Sequence, residues 1–247
     1  AFAASVLPEI YTEQRLANAE QFKATTFESG ALINDGGGHF TFHPLPRFAQ
    51  AAPGYGVVAA DIDADGRVEV VAVQNMFTRE PETGLWRGGI GVILEYGADG
   101  VFRVEPASET GFVVDGDAKG LTLCDLDSDN RPDLVVCQND GKLLAWKNQG
   151  DGQPLFSVHL NGSPGNRNGI GARIIAHYTD GTVRAAEMTA GNGYLSQSQP
   201  VVYFNTADTP IKALEIRWPD GETTKATPDA KSPTITVSKR LLSKTTR

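Results

Sequence analysis

The sequence predicts an all-β chain: a partial β-propeller, then a small β-sandwich-like unit, with a short helix in front. Three observations predict it. The 27 glycines and 14 prolines are spread along the 247 residues, as many short strands and tight turns require. After Gly30 the chain runs in short apolar stretches separated by Gly, Asp and Asn, the grammar of strand and turn. A twenty-residue stretch also occurs twice, at a constant offset of 64 residues.

Composition narrows the functional classes. With 40% hydrophobic and 21% charged residues this is a folded globular chain. No apolar run approaches the roughly 20 residues that cross a bilayer, so no membrane span is expected. A net charge of -8 argues against a nucleic-acid surface, which needs clustered Lys and Arg. Two cysteines, Cys124 and Cys137, exclude a disulfide-rich scaffold. Ala1-Phe2-Ala3-Ala4 reads either as the remnant of a small-residue cleavage site or as an arbitrary boundary.

Residues 1–29 form a lead-in. Pro8 to Phe27 is rich in Glu, Gln, Ala, Lys and Leu, which predicts one helix between about Pro8 and Phe22. Residues 30–156 carry the repeat. Gly56 to Asn75 (GVVAADIDADGRVEVVAVQN) aligns with Gly120 to Asn139 (GLTLCDLDSDNRPDLVVCQN). Weaker turn elements flank the copies, each ahead of a Phe: Asn34 to Phe40, Gly97 to Phe102 and Asn148 to Phe156. The resulting order is strand, acidic loop, strand, Gln-Asn, strand, turn, Phe strand. About four strands per unit suits a propeller blade. Two complete units and the tail of a third are few for closure, so assembly with other chains is one way to complete the ring. An insertion from about Met76 to Arg87 interrupts the first unit. Residues 157–237 read as a separate β unit, with strands predicted over Gly171 to Tyr178, Thr182 to Met188 and Ala213 to Trp218. Residues 238–247 read as a loose basic tail.

The acidic loops carry the chemistry. Asp61, Asp63, Asp65 and Glu69 occupy loop positions 1, 3, 5 and 9, and Asp125, Asp127, Asp129 and Asp133 repeat the spacing. On a curled loop alternate side chains converge on one centre. Calcium takes six to eight oxygens, which these carboxylates, a backbone carbonyl at position 7 (Arg67, Arg131) and water supply. Position 6 needs a left-handed backbone, and Gly66 and Asn130 tolerate it. Carboxylates about 5 Å apart repel by roughly 3 kcal/mol per pair at an effective dielectric near 20, which a divalent cation reverses. Position 12 is Ala72 or Val136 rather than Glu, and the flanks are β-branched, so this is a clamped β-hairpin and not an EF-hand. The plain alternative is a pair of solvated acidic turns.

The two copies resemble FG-GAP/VCBS-type repeats, the calcium-binding blades of integrin-like β-propellers. Gly169-Ile-Gly-Ala-Arg173, Gly191 to Ser198 (GNGYLSQS) and Ile216 to Gly221 (IRWPDG) resemble the ASPIC/UnbV domain, which follows such propellers in bacterial secreted proteins and in the cartilage acidic protein family. The resemblance spans roughly Gly30 to Lys225. It implies an extracellular or periplasmic, non-catalytic binding or adhesion protein with two structural calcium ions and a protein or glycan partner. The blade number further suggests the C-terminal part of a longer protein. Glu69 stands where Asp is usual, Asn130 where Gly is usual, and Phe204-Asn-Thr-Ala207 replaces Phe-Gly-Leu-Gly.

Other residues read more plainly. Cys124 and Cys137 align with Ala60 and Val73 and are expected as buried thiols, with a cross-strand disulfide as the alternative. His39, His43, His159 and His177 lack zinc-like spacing. Ser196 and Ser198 lack the strand–turn–helix setting of a hydrolase nucleophile, and Gly169-x-Gly171 lacks the third glycine of a dinucleotide site. Trp86, Trp146 and Trp218 suit core or blade-edge packing. A metal-dependent hydrolase or accessory subunit, which would need an open coordination position beside a cleft, is the alternative from another class.

Overall fold

The computed structural model describes residues 4–78 and 84–239. Pro81 of the insertion, Ala1 to Ala3 and the tail beyond Lys239 lie outside the described residues.

The lead-in forms two short helices, α1 (Leu7–Ile10) and α2 (Glu13–Ala17), instead of the single helix expected to Phe22. Tyr11 ends the first in an extended conformation, and Thr12 caps the second through Arg15 N–H. Neither helix buries a residue, and without an apolar face to pack, helical propensity alone does not sustain a long helix.

Strands dominate the rest. A hairpin, β1 (Gly30–Asn34) and β2 (Phe40–Pro44), comes first. Next are β3 (Gly54–Ala60), β4 (Glu69–Gln74), β5 (Val92–Tyr96) and β6 (Phe102–Val104), a four-stranded antiparallel meander. A short helix, α3 (Ala107–Thr110), leads to β7 (Ala118–Cys124), β8 (Asp133–Gln138) and β9 (Leu144–Trp146), a three-stranded meander. These sheets stack like successive blades. Val71, Val73, Phe112, Val114, Leu121 and Val136 fill the space between the second and third, and Leu94 and Phe102 help fill that under the hairpin. β4 is buried almost throughout because sheets cover both its faces, which explains its unbroken apolar run. Gly56 permits close approach of the innermost strands: a Cβ there would lie 2.6 Å from Leu121 Cβ.

Phe156, expected to enter a fourth strand of the second blade, instead opens β10 (Phe156–Asn161). β10 is the centre of a three-stranded sheet with β13 (Val201–Phe204) and β16 (Thr234–Ser238), and its pairing with β16 is parallel. The facing sheet contains β12 (Val183–Glu187), β11 (Arg173–Tyr178), β14 (Ile211–Arg217) and β15 (Thr223–Ala226), and the two enclose one core around Val158, Ile174, Leu214, Ile216 and Trp218. Among the described residues the sheets stay open, and no strand pairs with the outer edge of β9.

The Gln-Asn that ends each copy is a staple between segments. Gln74 Nε2 donates to Ala49 O at 3.0 Å. Asn75 is fully buried with φ 91°, and its amide donates to Gly89 O and Gly116 O, each at 2.9 Å, while its Oδ1 accepts from Gly89 N–H at 2.9 Å. It thus joins the first blade to the start of the second. Asn139 is exposed and its amide reaches Asp117 Oδ2 at 3.2 Å. Asn75→Ala is therefore expected to lower the unfolding free energy by about 2–4 kcal/mol in urea titrations, and Asn139→Ala by less than about 1 kcal/mol. Equal losses would show that the buried staple has no special weight.

Candidate metal centres

Each acidic loop is the turn of a hairpin. The β3–β4 ladder runs to Ala60 opposite Glu69, and the β7–β8 ladder to Cys124 opposite Asp133. Position 6 is left-handed in both, φ 90° at Gly66 and 61° at Asn130, as the residue types suggested. Position 4 is left-handed as well, φ 64° at Ala64 and 65° at Ser128, which no side chain announces. That conformation costs an L-residue roughly 1–2 kcal/mol, so contacts inside the curl must offset it.

They do so in matching pairs. Gly66 N–H donates to Asp61 Oδ2 at 3.0 Å, and Asn130 N–H to Asp125 Oδ2 at 2.9 Å. Arg67 N–H reaches Asp65 Oδ1 at 2.7 Å, and Arg131 N–H reaches Asp129 Oδ1 at 2.9 Å. Ile62 N–H donates to Glu69 Oε2 and Leu126 N–H to Asp133 Oδ2, both at 2.7 Å. One carboxylate oxygen each from Asp61, Asp63 and Glu69 lie within 4.8 Å of one another, as do those of Asp125, Asp127 and Asp133. Asp65 and Asp129 stand outside these triplets. The guanidinium groups at position 7 reach neighbouring segments, Arg67 to Glu95 at 2.5 Å and Arg131 to Gly152 O at 2.7 Å, while staying 3.5 Å from Asp65 and 3.9 Å from Asp129 of their own loops.

The donor set fits a hard divalent cation. All the converging atoms are carboxylate oxygens, with no thiolate or imidazole to favour zinc. Asp61 Oδ1 is buried and has no hydrogen-bond partner, an acceptor that a cation would satisfy. Glu69, 5% exposed, is raised to about 7, chiefly by burial, then by repulsion from Asp63, Asp61 and Asp65, against the Ile62 N–H that lowers it. Burial raises Asp61 as well, opposed by hydrogen bonds from Asn205 and Gly66.

The loops differ in their surroundings. The ladders place Trp146 opposite Leu134 as Leu94 lies opposite Val70, so Lys147 is the counterpart of Glu95. Lys147 pairs with Asp127 and holds it below the usual carboxylate range. Loop 2 therefore carries a cation of its own where loop 1 has a further acid.

Several contributors to these sites come from distant sequence. Asn148 N–H donates to Asp133 Oδ1 and its side-chain amide to Ile62 O, both at 2.7 Å, tying one loop to the other. Asn205, at the departure from Phe-Gly-Leu-Gly, donates to Asp61 Oδ2 at 3.0 Å and to Ala64 O at 2.7 Å. Only the Asn148-Gln-Gly turn had a local sequence signal.

The Gly191–Ser198 motif docks on β7. Ser196 Oγ donates to Leu121 O at 2.9 Å, Ser198 Oγ accepts from Leu123 N–H at 3.0 Å, and Gln199 Oε1 accepts from Asp125 N–H at 2.8 Å. These serines serve a seam between sheets. The cysteines are free and do not face each other: Cys124 pairs with Asp133 and Cys137 with Gly120. Cys137 is exposed and Cys124 half-buried, correcting the expected burial; Cys137 lies opposite Gly120, which has no side chain to cover it. Trp218 is buried and donates to Thr224 Oγ1 at 2.9 Å; Trp146 packs on Phe112; exposed Trp86 bridges Met76.

Residues 162–240 match the family described as ASPIC and UnbV. All three motifs that suggested this resemblance fall inside that stretch. Over 180 residues the chain is similar to cartilage acidic protein 1 of Mus musculus, at 23% identity, covering 72% of this chain and 27% of the relative. The Xenopus tropicalis protein of the same name is 27% identical over 185 residues, covering 71% and 27%. The chain thus spans about a quarter of the length of the curated relatives it matches.

The raised pKa of Glu69 ties stability to pH. Between 4.5 and about 7 the folded chain holds a proton on Glu69 that the unfolded chain has lost, so metal-free stability falls as pH rises through that window. Thermal melts in chelator from pH 4.5 to 7.5 are expected to show a steeper fall for the wild type than for Glu69→Gln. Parallel curves would mean that Glu69 does not carry the shift.

Proposed function

We propose that this chain is a calcium-stabilised, non-catalytic extracellular binding or structural module. Asp61, Asp63 and Glu69 would hold one ion and Asp125, Asp127 and Asp133 the other, with Asp65, Asp129 and the carbonyls of Arg67 and Arg131 completing the shells. The observation that carries the reading is the same hairpin donor set built twice, with a partnerless buried oxygen in the first copy. Calcium is preferred to magnesium because the ligands are many and flexible loops carry them. The relatives' name, cartilage acidic protein 1, supports an extracellular setting. A protein or glycan partner suits such a module, and the open edge of β9 is where an extended segment of another chain would add.

A metal-dependent hydrolase has one observation in its favour. A cleft of about 650 Å³ lies beside loop 1, lined by Asp63, Glu69, Glu105, Trp146 and Lys147 among others. Yet Lys147 is engaged by Asp127 and Arg67 by Glu95, so neither cation is free to meet a substrate anion. Turnover of p-nitrophenyl phosphate that depends on added metal would favour this reading over the binding one.

A tenfold excess of free calcium over the dissociation constant adds about 1.4 kcal/mol per site. Asp63→Asn or Asp127→Asn is therefore expected to lower the melting temperature by about 3–6 °C in saturating calcium, with a much smaller change in chelator. Unchanged melting in calcium would remove the site concerned. Lys147 competes for Asp127, so calorimetry of Lys147→Met is expected to give tighter binding at loop 2 and none of that gain at loop 1. Loss of affinity instead would mean that Lys147 supports the site.

A further inference from the structure

We infer that Asn205 is a positioning residue through which the C-terminal sheets complete loop 1, so that ion binding there and seating of those sheets on the blades are one coupled event. The inference rests on the metal reading above and deepens it. Asp61 Oδ2 accepts from two donors, Gly66 N–H at 3.0 Å and Asn205 Nδ2 at 3.0 Å. Both its lone pairs are thereby engaged, which turns the other oxygen, the buried and partnerless Oδ1, into the one free to meet a cation. The second hydrogen of the same amide goes to Ala64 O at 2.7 Å, at the left-handed residue of position 4. One side chain therefore fixes both a ligand and the loop backbone.

Asn205 is itself held by the C-terminal core. Its carbonyl accepts from buried Tyr178 Oη at 2.9 Å, its Oδ1 accepts from Ala207 N–H at 3.0 Å, and the preceding Phe204 is buried in β13. Arg184 of β12 adds a long contact to Gly66 O, at 3.5 Å. Loop 2 is the internal control. Asp125 Oδ1 accepts from Asp129 N–H at 3.1 Å and Oδ2 from Asn130 N–H at 2.9 Å, donors from its own loop. Among the described residues, the hydrogen bonds from the C-terminal sheets to that loop go to Asp125 N–H and to Asn130, from Gln199 and Ser157, and not to a carboxylate. Coupling is reciprocal: if seated sheets favour the ion at loop 1, the ion favours the seated sheets to the same degree.

The test separates the loops with one disabling change each. In an Asp127→Asn background, where loop 1 alone binds, Asn205→Ala is expected to weaken calcium by about five- to tenfold, the worth of one or two hydrogen bonds. In an Asp63→Asn background, where loop 2 alone binds, the same change should alter affinity less than about twofold. Hydrogen exchange supplies the second readout: calcium should slow exchange of Tyr178 N–H, which donates to Thr182 O in the C-terminal sheets, in the wild type and lose that effect in Asn205→Ala. Asn205→Ser, which keeps a shorter donor, replaces the alanine variant if the latter does not fold, and is expected between the two. Unchanged loop 1 affinity, with calcium protection at Tyr178 N–H retained, would overturn the coupling and leave the metal reading intact. No calcium at loop 1 in the Asp127→Asn protein would overturn both.

Discussion

Carboxylates brought together at the head of a β-hairpin repel one another, and the rest of this structure is arranged around that repulsion. The curl that gathers Asp61, Asp63 and Glu69 needs left-handed backbone at two positions, one of them alanine. Hydrogen bonds from the loop's own amides hold it. They leave Glu69 buried and Asp61 with an unmet oxygen. The curl is built twice on matching hydrogen bonds, whereas the unmet oxygen belongs to the first copy, since both oxygens of Asp125 accept from their own loop.

The loops are also joints. Asn148 links the acid of the second to the backbone of the first, and Asn75 ties one blade to the next. The seam made by Ser196, Ser198 and Gln199 runs along β7 up to Asp125, and Asn205 reaches Asp61. Among the described residues no ladder joins one sheet to the next, and side-chain amides and hydroxyls at the loop ends add to the apolar packing between the blade sheets. An ion in either loop would stiffen a junction as well as a hairpin.

The legible part of this fold is local. Alternation, turn residues and the 64-residue offset marked the hairpins, and the acid spacing marked the loops, because each depends on neighbours in sequence. What was not legible depends on distance. Phe156 carries the same sign as Phe102, a Phe after a Gly/Asp turn, yet joins a sheet whose other edge is Thr234–Ser238, a parallel pairing no short motif encodes. Val201–Phe204 is an apolar run with strand propensity that gained meaning only from β10. Asn205 meets Asp61 across 144 residues, and the single helix expected in the lead-in failed for want of anything to pack against.

The central claim is that each acidic loop is an ion site. Its most direct test is calcium stoichiometry, measured by calorimetric titration of chelator-stripped protein beside the Asp61→Asn/Asp125→Asn double variant. The account predicts two ions per wild-type chain and none in the double variant, with circular dichroism showing that both remain folded. A folded wild type that takes up no calcium, or a double variant that still binds two ions, would contradict it.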